Sequence, residues 1–239
     1  MSLSEWEGSQ KLPAPVSPVA VTGRFPLPLV APSQWPSLEQ SIACRRTSRS
    51  FDPQALLPLE VLTRFLVFSC GRTAAMDLGT GLEGAYHRAA PSAGARYPID
   101  MCLVSLRVAS IPTGAYRYDG EQHELELVRP GFFADDVARW ALNQPWMANA
   151  SVVFALVAAP GRIEERYAAR GYRYILMEAG HIAQNLYLLG AAHGMCVQAT
   201  GGFFEDAFGR LLGLDETACH VVYLIAAGPP SPVRGLAPW

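Results

Sequence analysis

Lysine is almost absent from this chain of 239 residues, since Lys11 is the only one. Every other strongly basic side chain is an arginine, which stays protonated far above neutral pH and cannot serve as a base. The formal net charge is −2 at pH 7 and the pI is about 6.2. A nucleic-acid-binding protein usually spreads positive charge over a surface, so this balance argues against nucleic acid as a partner.

Cysteine and histidine are few and scattered. The five cysteines are odd in number and include no CxxC pair, which favours reduced core thiols over a disulfide framework. The five histidines form no group with ligand spacing, so no metal site is predicted. Hydrophobic runs such as residues 150–160 are too short to span a bilayer, and no signal peptide opens the chain. We therefore expect a soluble, cytoplasmic protein with no membrane contact.

Proline divides the chain into two parts. Residues 1–36 hold seven prolines and little apolar periodicity, which predicts an extended N-terminal arm of the kind that packs on a partner. Half of all residues are hydrophobic, which is enough to build one principal domain over residues 37–239.

Periodicity within this domain predicts both helices and strands. Apolar spacing and end signals predict helices at residues 38–44, 58–70, 132–142, 172–193 and 205–212. Alternating or continuous apolar runs predict strands at residues 99–103, 116–118, 123–128, 151–158, 195–199 and 220–227. Apolar residues occupy most of the circumference of the helix at 172–193. We therefore expect this helix to be nearly all buried, with a second packing surface used in a dimer.

Residues 45–51 form an unusually basic segment. They read Arg-Arg-Thr-Ser-Arg-Ser-Phe, with three guanidinium groups and three hydroxyls in seven positions. Arginine pairs bidentately with phosphate, and hydroxyls or backbone N–H groups can close around the remaining oxygens. We interpret this arginine segment as a phosphate-binding site. Taken alone, it is also compatible with a charged junction between a helix and a loop, or with a nucleic-acid patch.

A second segment, residues 91–98, reads Pro-Ser-Ala-Gly-Ala-Arg-Tyr-Pro. Its small residues would let a flat ligand lie against the backbone. Taken alone, this segment is also compatible with a plain surface loop. Together, the two segments predict a phosphorylated planar cofactor.

The order and separation of these features resemble those of the nitroreductase-like FMN oxidoreductases. The likeness is closer to the SagB-type dehydrogenase branch, which includes thiazole- and oxazole-forming dehydrogenases. It covers about residues 37–230 and rests on five motifs. They are the arginine segment, the small-residue loop at 90–95, Gly-Ala-Tyr-Arg-Tyr at 114–118, Gly-Tyr-Arg-Tyr at 171–174, and Glu-Ala-Gly-His at 178–181 with Gln-Asn at 184–185.

The resemblance implies an α+β fold with a mixed central sheet flanked by helices, an intertwined homodimer, and FMN held at the dimer interface. Its cofactor-binding residues fall in four groups. The phosphate would be held by Arg45, Thr47 and Arg49, with Arg46 nearby. The ribityl chain and ring would lie along Pro91, Ser92, Ala93 and Gly94. Backbone N–H groups at Thr200, Gly201 and Gly202 would face the ring near N5, and Gly228 and Arg234 correspond to a last phosphate-binding segment.

The resemblance also implies a catalytic pair, Arg166 and Tyr167. In the azoline-oxidising relatives, a Lys-Tyr pair at this place is implicated in proton removal. Arg166 could orient a substrate or stabilise an anion but could not act as the base. An unperturbed phenol has a pKa of about 10, so Tyr167 would need a nearby cation such as Arg166 to act as one. The missing lysine therefore puts azoline oxidation in doubt, and a lysine base would have to come from Lys11 in the arm.

Several functions remain open. The first is an FMN-dependent oxidoreductase, acting on peptide azolines or, with NAD(P)H, on nitroaromatics and quinones. The second is a flavin-binding scaffold without turnover in a peptide-modifying complex. A non-flavin anion binder would need the arginine segment to face solvent. Two plainer interpretations also stand: Glu178, His181 and Asn185 satisfy buried backbone groups or a dimer seam, and Gly201-Gly202 is simply a turn.

Overall fold

The computed structural model describes residues 20–30, 36–75 and 86–232. The helices in this part of the chain are α1 (Leu38–Cys44), α2 (Leu59–Cys70), α3 (Ala134–Trp140), α4 (Gly161–Tyr167), α5 (Gly171–Ala192) and α6 (Glu205–Leu212). The strands are β1 (Gly23–Pro26), β2 (Arg72–Ala75), β3 (Tyr86–Arg88), β4 (Ile99–Ser105), β5 (Gly114–Asp119), β6 (Glu124–Pro130), β7 (Val152–Ala158), β8 (Cys196–Thr200) and β9 (His220–Gly228). Short 3-10 turns lie at Ala93–Ala95, Pro145–Asn149 and Ala168–Arg170.

Seven of these strands form one large sheet in the order β1-β6-β5-β4-β7-β9-β8, while β2 pairs only with β3. Helices pack on both faces of the large sheet, so the predicted α+β class is confirmed. Every strand pair between described residues is antiparallel. A parallel pairing occurs only as an isolated bridge between Leu57 and Val108, among the described residues and outside the named strands.

Strand β7 separates two hydrophobic cores. All seven of its residues are buried, as expected for a continuous apolar, β-branched run with a neighbour on each side. Phe154 and Leu156 pack in one core with side chains of α2 and α5. Val153 and Val157 face the opposite core, which contains side chains of α3 and α6. The alternation of side chains along one strand thus builds a three-layer structure.

Local signals in the sequence fix two helix ends. Ser37 accepts a hydrogen bond from the N–H of Gln40, and the Gln40 side chain accepts one from the N–H of Ser37. This capping box starts α1 at the place where the sequence predicted a helix. Helix α6 ends at Gly213, whose φ of 62° lies in the left-handed region that glycine adopts most readily.

Four elements were not predicted from the sequence: the paired strands β2 and β3, strand β1 and helix α4. Strand β1 lies within the predicted proline-rich arm and pairs with β6 at the edge of the sheet. Arg24 ties the two strands together through ion pairs with Glu124 and with Glu126, the latter at 2.8 Å. Helix α4 is short and charged, and Arg162 anchors it through paired hydrogen bonds of 2.6 Å to both carboxylate oxygens of Asp100.

Helix α5 is amphipathic within a single chain. Ile175, Ala179 and Leu186 belong to the buried face, which packs against the sheet. Leu176 and Met177 on the opposite face are 43% and 59% exposed. The expectation that this helix is nearly all buried is therefore wrong for one chain, because its second apolar face has no partner among the described residues. No helix in the described ranges is both long and apolar enough to cross a membrane.

Candidate active site

The arginine segment runs past one end of β8. The N–H of Ser48 donates to the carbonyl of Val197 at 3.1 Å, which attaches the segment to the edge of the sheet. The N–H of Ser231 donates to the carbonyl of Ser50 at 2.8 Å. The chain that follows β9 therefore lies beside the arginine segment, as the predicted last phosphate-binding segment requires. Arg234 itself lies outside the described residues, as does Lys11.

Arg45 is linked to the end of β8 through Tyr187 of α5. The guanidinium carbon of Arg45 lies 5.5 Å from the centroid of the Tyr187 ring. The phenol oxygen of Tyr187 accepts a hydrogen bond of 2.9 Å from the N–H of Ala199. Beyond it, the N–H of Gly202 donates to the hydroxyl of Thr200 at 3.1 Å. The structure thus brings the arginine segment close to the predicted flavin-facing loop at residues 200–202.

The charges of the arginine segment point in different directions. Arg49 is exposed and lies over the Trp146 ring, 5.4 Å from its centroid. Arg46 turns back and donates to the carbonyls of Ala43 and Arg45 at 2.8 Å. In the part of the chain that the structure describes, neither Arg45 nor Arg49 forms an ion pair with a carboxylate. Both are therefore available to an anion.

A cavity of about 400 Å³ adjoins this segment. Its wall includes small or apolar residues of α5, β8 and the chain after β9. Among its lining residues are Arg46, Ser48, Gly190, Cys196, Ser231 and Pro232. A ligand in this cavity would meet both stretches of chain that the sequence assigned to phosphate binding.

The small-residue loop meets the predicted catalytic pair. Gly94 has a φ of 60°, and a β-carbon at this position would lie 2.8 Å from the phenol oxygen of Tyr167 and 3.2 Å from Nη1 of Arg166. The Tyr167 ring packs edge to face on Tyr174, with centroids 4.8 Å apart. Two predictions made from separate parts of the sequence therefore fall on one place in the fold.

Helix α4 positions this pair. Arg166 and Tyr167 are its last two residues, and the chain then bends at Ala168, which has a φ of 47°. The buried side chain of Arg162 holds the helix down by donating to the carbonyl of Tyr97 at 3.0 Å and by pairing with Asp100. The same contact fixes α4 against the small-residue loop.

A buried carboxyl group lies beneath the loop, on α5. Glu178 is 3% exposed, and its Oε2 has no hydrogen-bond partner among the described residues. Burial raises the pKa of Glu178 to about 7, although hydrogen bonding to Ser92 and the charge of Arg88 oppose this shift. The sequence had assigned Glu178 only a structural role, because its nearness to Ser92 depends on the tertiary fold.

Asn185 and His181, which the sequence analysis grouped with Glu178, have different surroundings. Asn185 donates from Nδ2 to the carbonyl of Ser69 at 3.2 Å, so the expected backbone-satisfying role is confirmed for this residue. His181 is exposed. A β-carbon on Gly228 would lie 2.9 Å from the backbone nitrogen of Ser151, so this glycine permits close packing of β9.

The predicted cofactor residues form two groups at the two ends of α5. Arg45 contacts Tyr187 near its C-terminal end, whereas the Gly94 loop and Tyr167 lie near Tyr174 close to its N-terminal end. With a rise of 1.5 Å per residue, Tyr174 and Tyr187 are separated by about 20 Å along the helix axis. We call these groups the arginine half-site and the glycine half-site.

Comparisons with a family model and with known proteins agree on one family. Residues 42–228 match the family model described as the nitroreductase family. A Methanocaldococcus jannaschii protein that carries a provisional nitroreductase name, MJ1384, is 32% identical over 126 residues, which are 53% of this chain and 64% of that protein. The trifolitoxin operon protein TfxC of Rhizobium leguminosarum is 28% identical over 120 residues, which are 50% of this chain and 33% of that protein. The chain thus spans less than two thirds of either curated relative.

Solved structures share the fold. A protein of Ralstonia eutropha, provisionally named a nitroreductase, has a TM-score of 0.71 at 25% identity, covering 91% of this chain and 99% of its own. The Escherichia coli microcin synthetase McbBCD complex, solved with truncated pro-microcin bound, gives a TM-score of 0.63 at 19% identity, with 95% and 82% covered. An Exiguobacterium sibiricum protein solved in complex with FMN gives a TM-score of 0.58 at 16% identity, with 85% and 93% covered.

Proposed function

The chain belongs to the nitroreductase family, and from this membership we propose that it is an FMN-dependent oxidoreductase. The observation that carries the proposal is the convergence of Arg166 and Tyr167 on Gly94, because it places a cation and a phenol directly against the loop that the sequence assigned to the cofactor. When bound, FMN would supply the redox step, accepting or donating a hydride at N5.

The residues of the arginine half-site fit the phosphate group of FMN. Arg45 and Arg49 offer guanidinium groups without a carboxylate partner among the described residues, and Thr47 between them is exposed. Charge-assisted hydrogen bonds from such groups to phosphate are short and strong. The loop at residues 200–202 would lie on the side of the half-site reached through Tyr187, where its backbone could face the flavin ring. The N–H of Gly202 would first have to leave the Thr200 hydroxyl.

Two copies of the chain would complete the site. The exposed face of α5 carries Tyr172, Leu176 and Met177, and a β-carbon on Gly180 at its middle would meet nothing within 4 Å. Two such faces packed antiparallel about Gly180 would bring the C-terminal end of one α5 to the N-terminal end of the other. The arginine half-site of one protomer would then meet the glycine half-site of its partner, and FMN would lie between them.

The catalytic pair would transfer a proton to or from the substrate. Arg166 stays protonated, so it would hold an anionic substrate group or stabilise negative charge on the Tyr167 oxygen. Tyr167 would accept or return the substrate proton, with Tyr174 fixing the orientation of its ring. Lys11 is the only lysine of the chain, and it lies outside the described residues, so no described lysine can act as the base at this position.

The substrate class we favour is a peptide bearing an azoline, as in the SagB-type branch. Two likenesses support this choice, one to a trifolitoxin operon protein and the other to a microcin synthetase complex. A second candidate, an NAD(P)H-dependent reductase of nitroaromatics or quinones, is favoured by Arg166 standing in place of the lysine base. Anaerobic mixing separates the two, since an azoline peptide would reduce the bound flavin in the first case and NAD(P)H in the second.

The first test is the visible absorption spectrum of the purified full chain, with identification of any chromophore released on denaturation. Bound FMN, or FMN taken up by the colourless protein, is the expected result. A flavoprotein reduced neither by NAD(P)H nor by an azoline peptide would favour a scaffold role in a peptide-modifying complex. A protein that takes up no FMN would contradict the proposal.

A further inference from the structure

The turn that carries Gly94 has a strained backbone. Ala95 and Tyr97 have φ values of 53° and 47°, in the left-handed region that residues with a β-carbon rarely adopt. Such conformations persist only where the surrounding structure imposes them, and they cluster at functional sites. Two backbone hydrogen bonds lie within the turn, from the N–H of Ala95 to the carbonyl of Ser92 and from that of Arg96 to the carbonyl of Ala93. A side chain adds a third, because the hydroxyl oxygen of Ser92 accepts from the N–H of Tyr97 at 2.8 Å.

Ser92 in turn contacts the buried carboxyl group of α5. The Ser92 side chain and the backbone of Ile99 both lower the pKa of the Glu178 carboxyl, which places them beside it. Because the Ser92 oxygen already accepts from Tyr97, its own O–H is free to donate to the carboxylate. Such a bond is stronger when the acceptor is ionised. A continuous chain of contacts therefore runs from Glu178 through Ser92 to the strained turn.

We propose that Glu178 is a positioning residue for the small-residue loop, which it holds through Ser92 more tightly when ionised than when protonated. The role of the loop in FMN binding rests on the function proposed above, whereas the link between Glu178 and the loop does not. The second oxygen of Glu178 has no partner among the described residues, so this carboxyl can hold a proton without breaking its bond to Ser92. Its pKa of about 7 places the change near physiological pH.

Four other ionisable groups interact electrostatically with Glu178. They are Arg88 of β3, Tyr97 of the loop, Cys70 of α2 and Arg162 of α4. The two arginines stay charged throughout the neutral range. Burial raises the pKa of the Cys70 thiol to about 11, and burial also raises the pKa of the Tyr97 phenol. A titration near neutrality beside Ser92 therefore belongs to Glu178.

The test follows the Tyr97 amide resonance of the full chain, without added FMN, between pH 5.5 and 8.5. In the wild type we expect the chemical shift of the Tyr97 amide to change with pH, with a midpoint near 7. In Glu178→Gln we expect this chemical shift not to change with pH. The matched variant Ser92→Ala keeps the carboxyl but cuts the link. In it the Glu178 carboxyl carbon should still titrate while the Tyr97 amide does not. A wild-type amide that does not move, or that moves equally in Glu178→Gln, would overturn the proposal.

A second readout connects the link to the cofactor. FMN affinity of the wild type should rise severalfold from pH 6 to pH 8, and this rise should vanish in Glu178→Gln. Affinity that changes equally with pH in both proteins would contradict the positioning role. If neither protein binds FMN but the Tyr97 amide titrates as expected, the proposed cofactor fails while the link between Glu178 and the loop stands.

Discussion

The phenol oxygen of Tyr167 lies 2.8 Å from the place that a β-carbon on Gly94 would occupy. Gly94→Ala should therefore push Tyr167 away, and its φ of 60° would add backbone strain of about 1–3 kcal/mol. We expect weaker FMN retention and a lower free energy of unfolding, measured by equilibrium dialysis and urea denaturation. Gly161→Ala is the control, because a β-carbon there meets nothing within 4 Å.

A second variant separates crowding from backbone strain. Tyr167→Phe removes only the hydroxyl that the new β-carbon would meet. Combined with Gly94→Ala, it should recover part of the lost FMN affinity but leave the loss of stability from φ. If the double variant binds FMN no better than Gly94→Ala alone, the contact between Gly94 and Tyr167 does not shape the site.

The arginine half-site predicts a ranking of affinities for FMN. Arg45→Ala and Arg49→Ala each remove a charge-assisted bond to phosphate, worth about 1.5–3 kcal/mol, or at least about tenfold in Kd. Ser50→Ala, in the same segment, removes at most a neutral bond of about half that size. Fluorescence titration with FMN measures all three. Equal affinities in the three variants would be inconsistent with a phosphate at this place.

The exposed face of α5 predicts the oligomeric state. Met177 is 59% exposed on that face, and Phe132, before α3, is 58% exposed elsewhere. Met177→Asp should convert a dimer to a monomer in light scattering, because it buries an unpaired charge at the proposed interface. Phe132→Asp should leave the dimer intact. A wild-type monomer at micromolar concentration, or a dimer insensitive to Met177→Asp, would remove the basis for shared half-sites.

Mixing two defective variants tests whether the half-sites are shared. Arg45→Ala damages the arginine half-site and Gly94→Ala the glycine half-site. If each FMN lies between two protomers, a heterodimer of these variants has one site with both defects and one site with none. Co-expressed and purified with two different tags, it should bind FMN at one site with wild-type affinity. Sites contained within one chain would show no recovery.

The sequence predicted those elements whose stability is local or follows from simple apolar patterning. The continuous run of β7 and the helix cap at Ser37 each contain their own signal. Helix α4 lacked such a signal, because it is short and charged and its anchor is the pair between Arg162 and Asp100. That pair joins residues far apart in the chain and could not be inferred from spacing.

For the candidate site, too, some features could be inferred from the sequence and others depend on the tertiary fold. Arg45, Gly94 and Tyr167 could be named as candidates because their segments carry recognisable residues in a recognisable order. Their arrangement at opposite ends of α5 was not predicted, since it depends on how the helix lies across the sheet. Glu178 was named but given only a structural role, because its desolvation and its contact with Ser92 exist only in the folded chain.

Glu178 makes a prediction about stability as well as about the loop. Burial raises its pKa from the ordinary value of 4.5 to about 7, so between these values the folded chain holds a proton that the unfolded chain releases. By linkage, this group's contribution to the free energy of unfolding is full below pH 4.5 and is lost as pH rises to about 7. The loss amounts to about 3 kcal/mol, taking about 1.4 kcal/mol for each pH unit between the two values.

Urea denaturation at fixed protein concentration, at several pH values from 5 to 8, measures this contribution. Glu178→Gln cannot ionise, so its stability relative to wild type should increase from pH 5 to pH 8 by up to about 3 kcal/mol. Glu205→Gln, at the exposed start of α6, should run parallel to wild type. A constant difference between wild type and Glu178→Gln across this range would mean that the buried carboxyl keeps one protonation state, and its link to the loop would then be insensitive to pH.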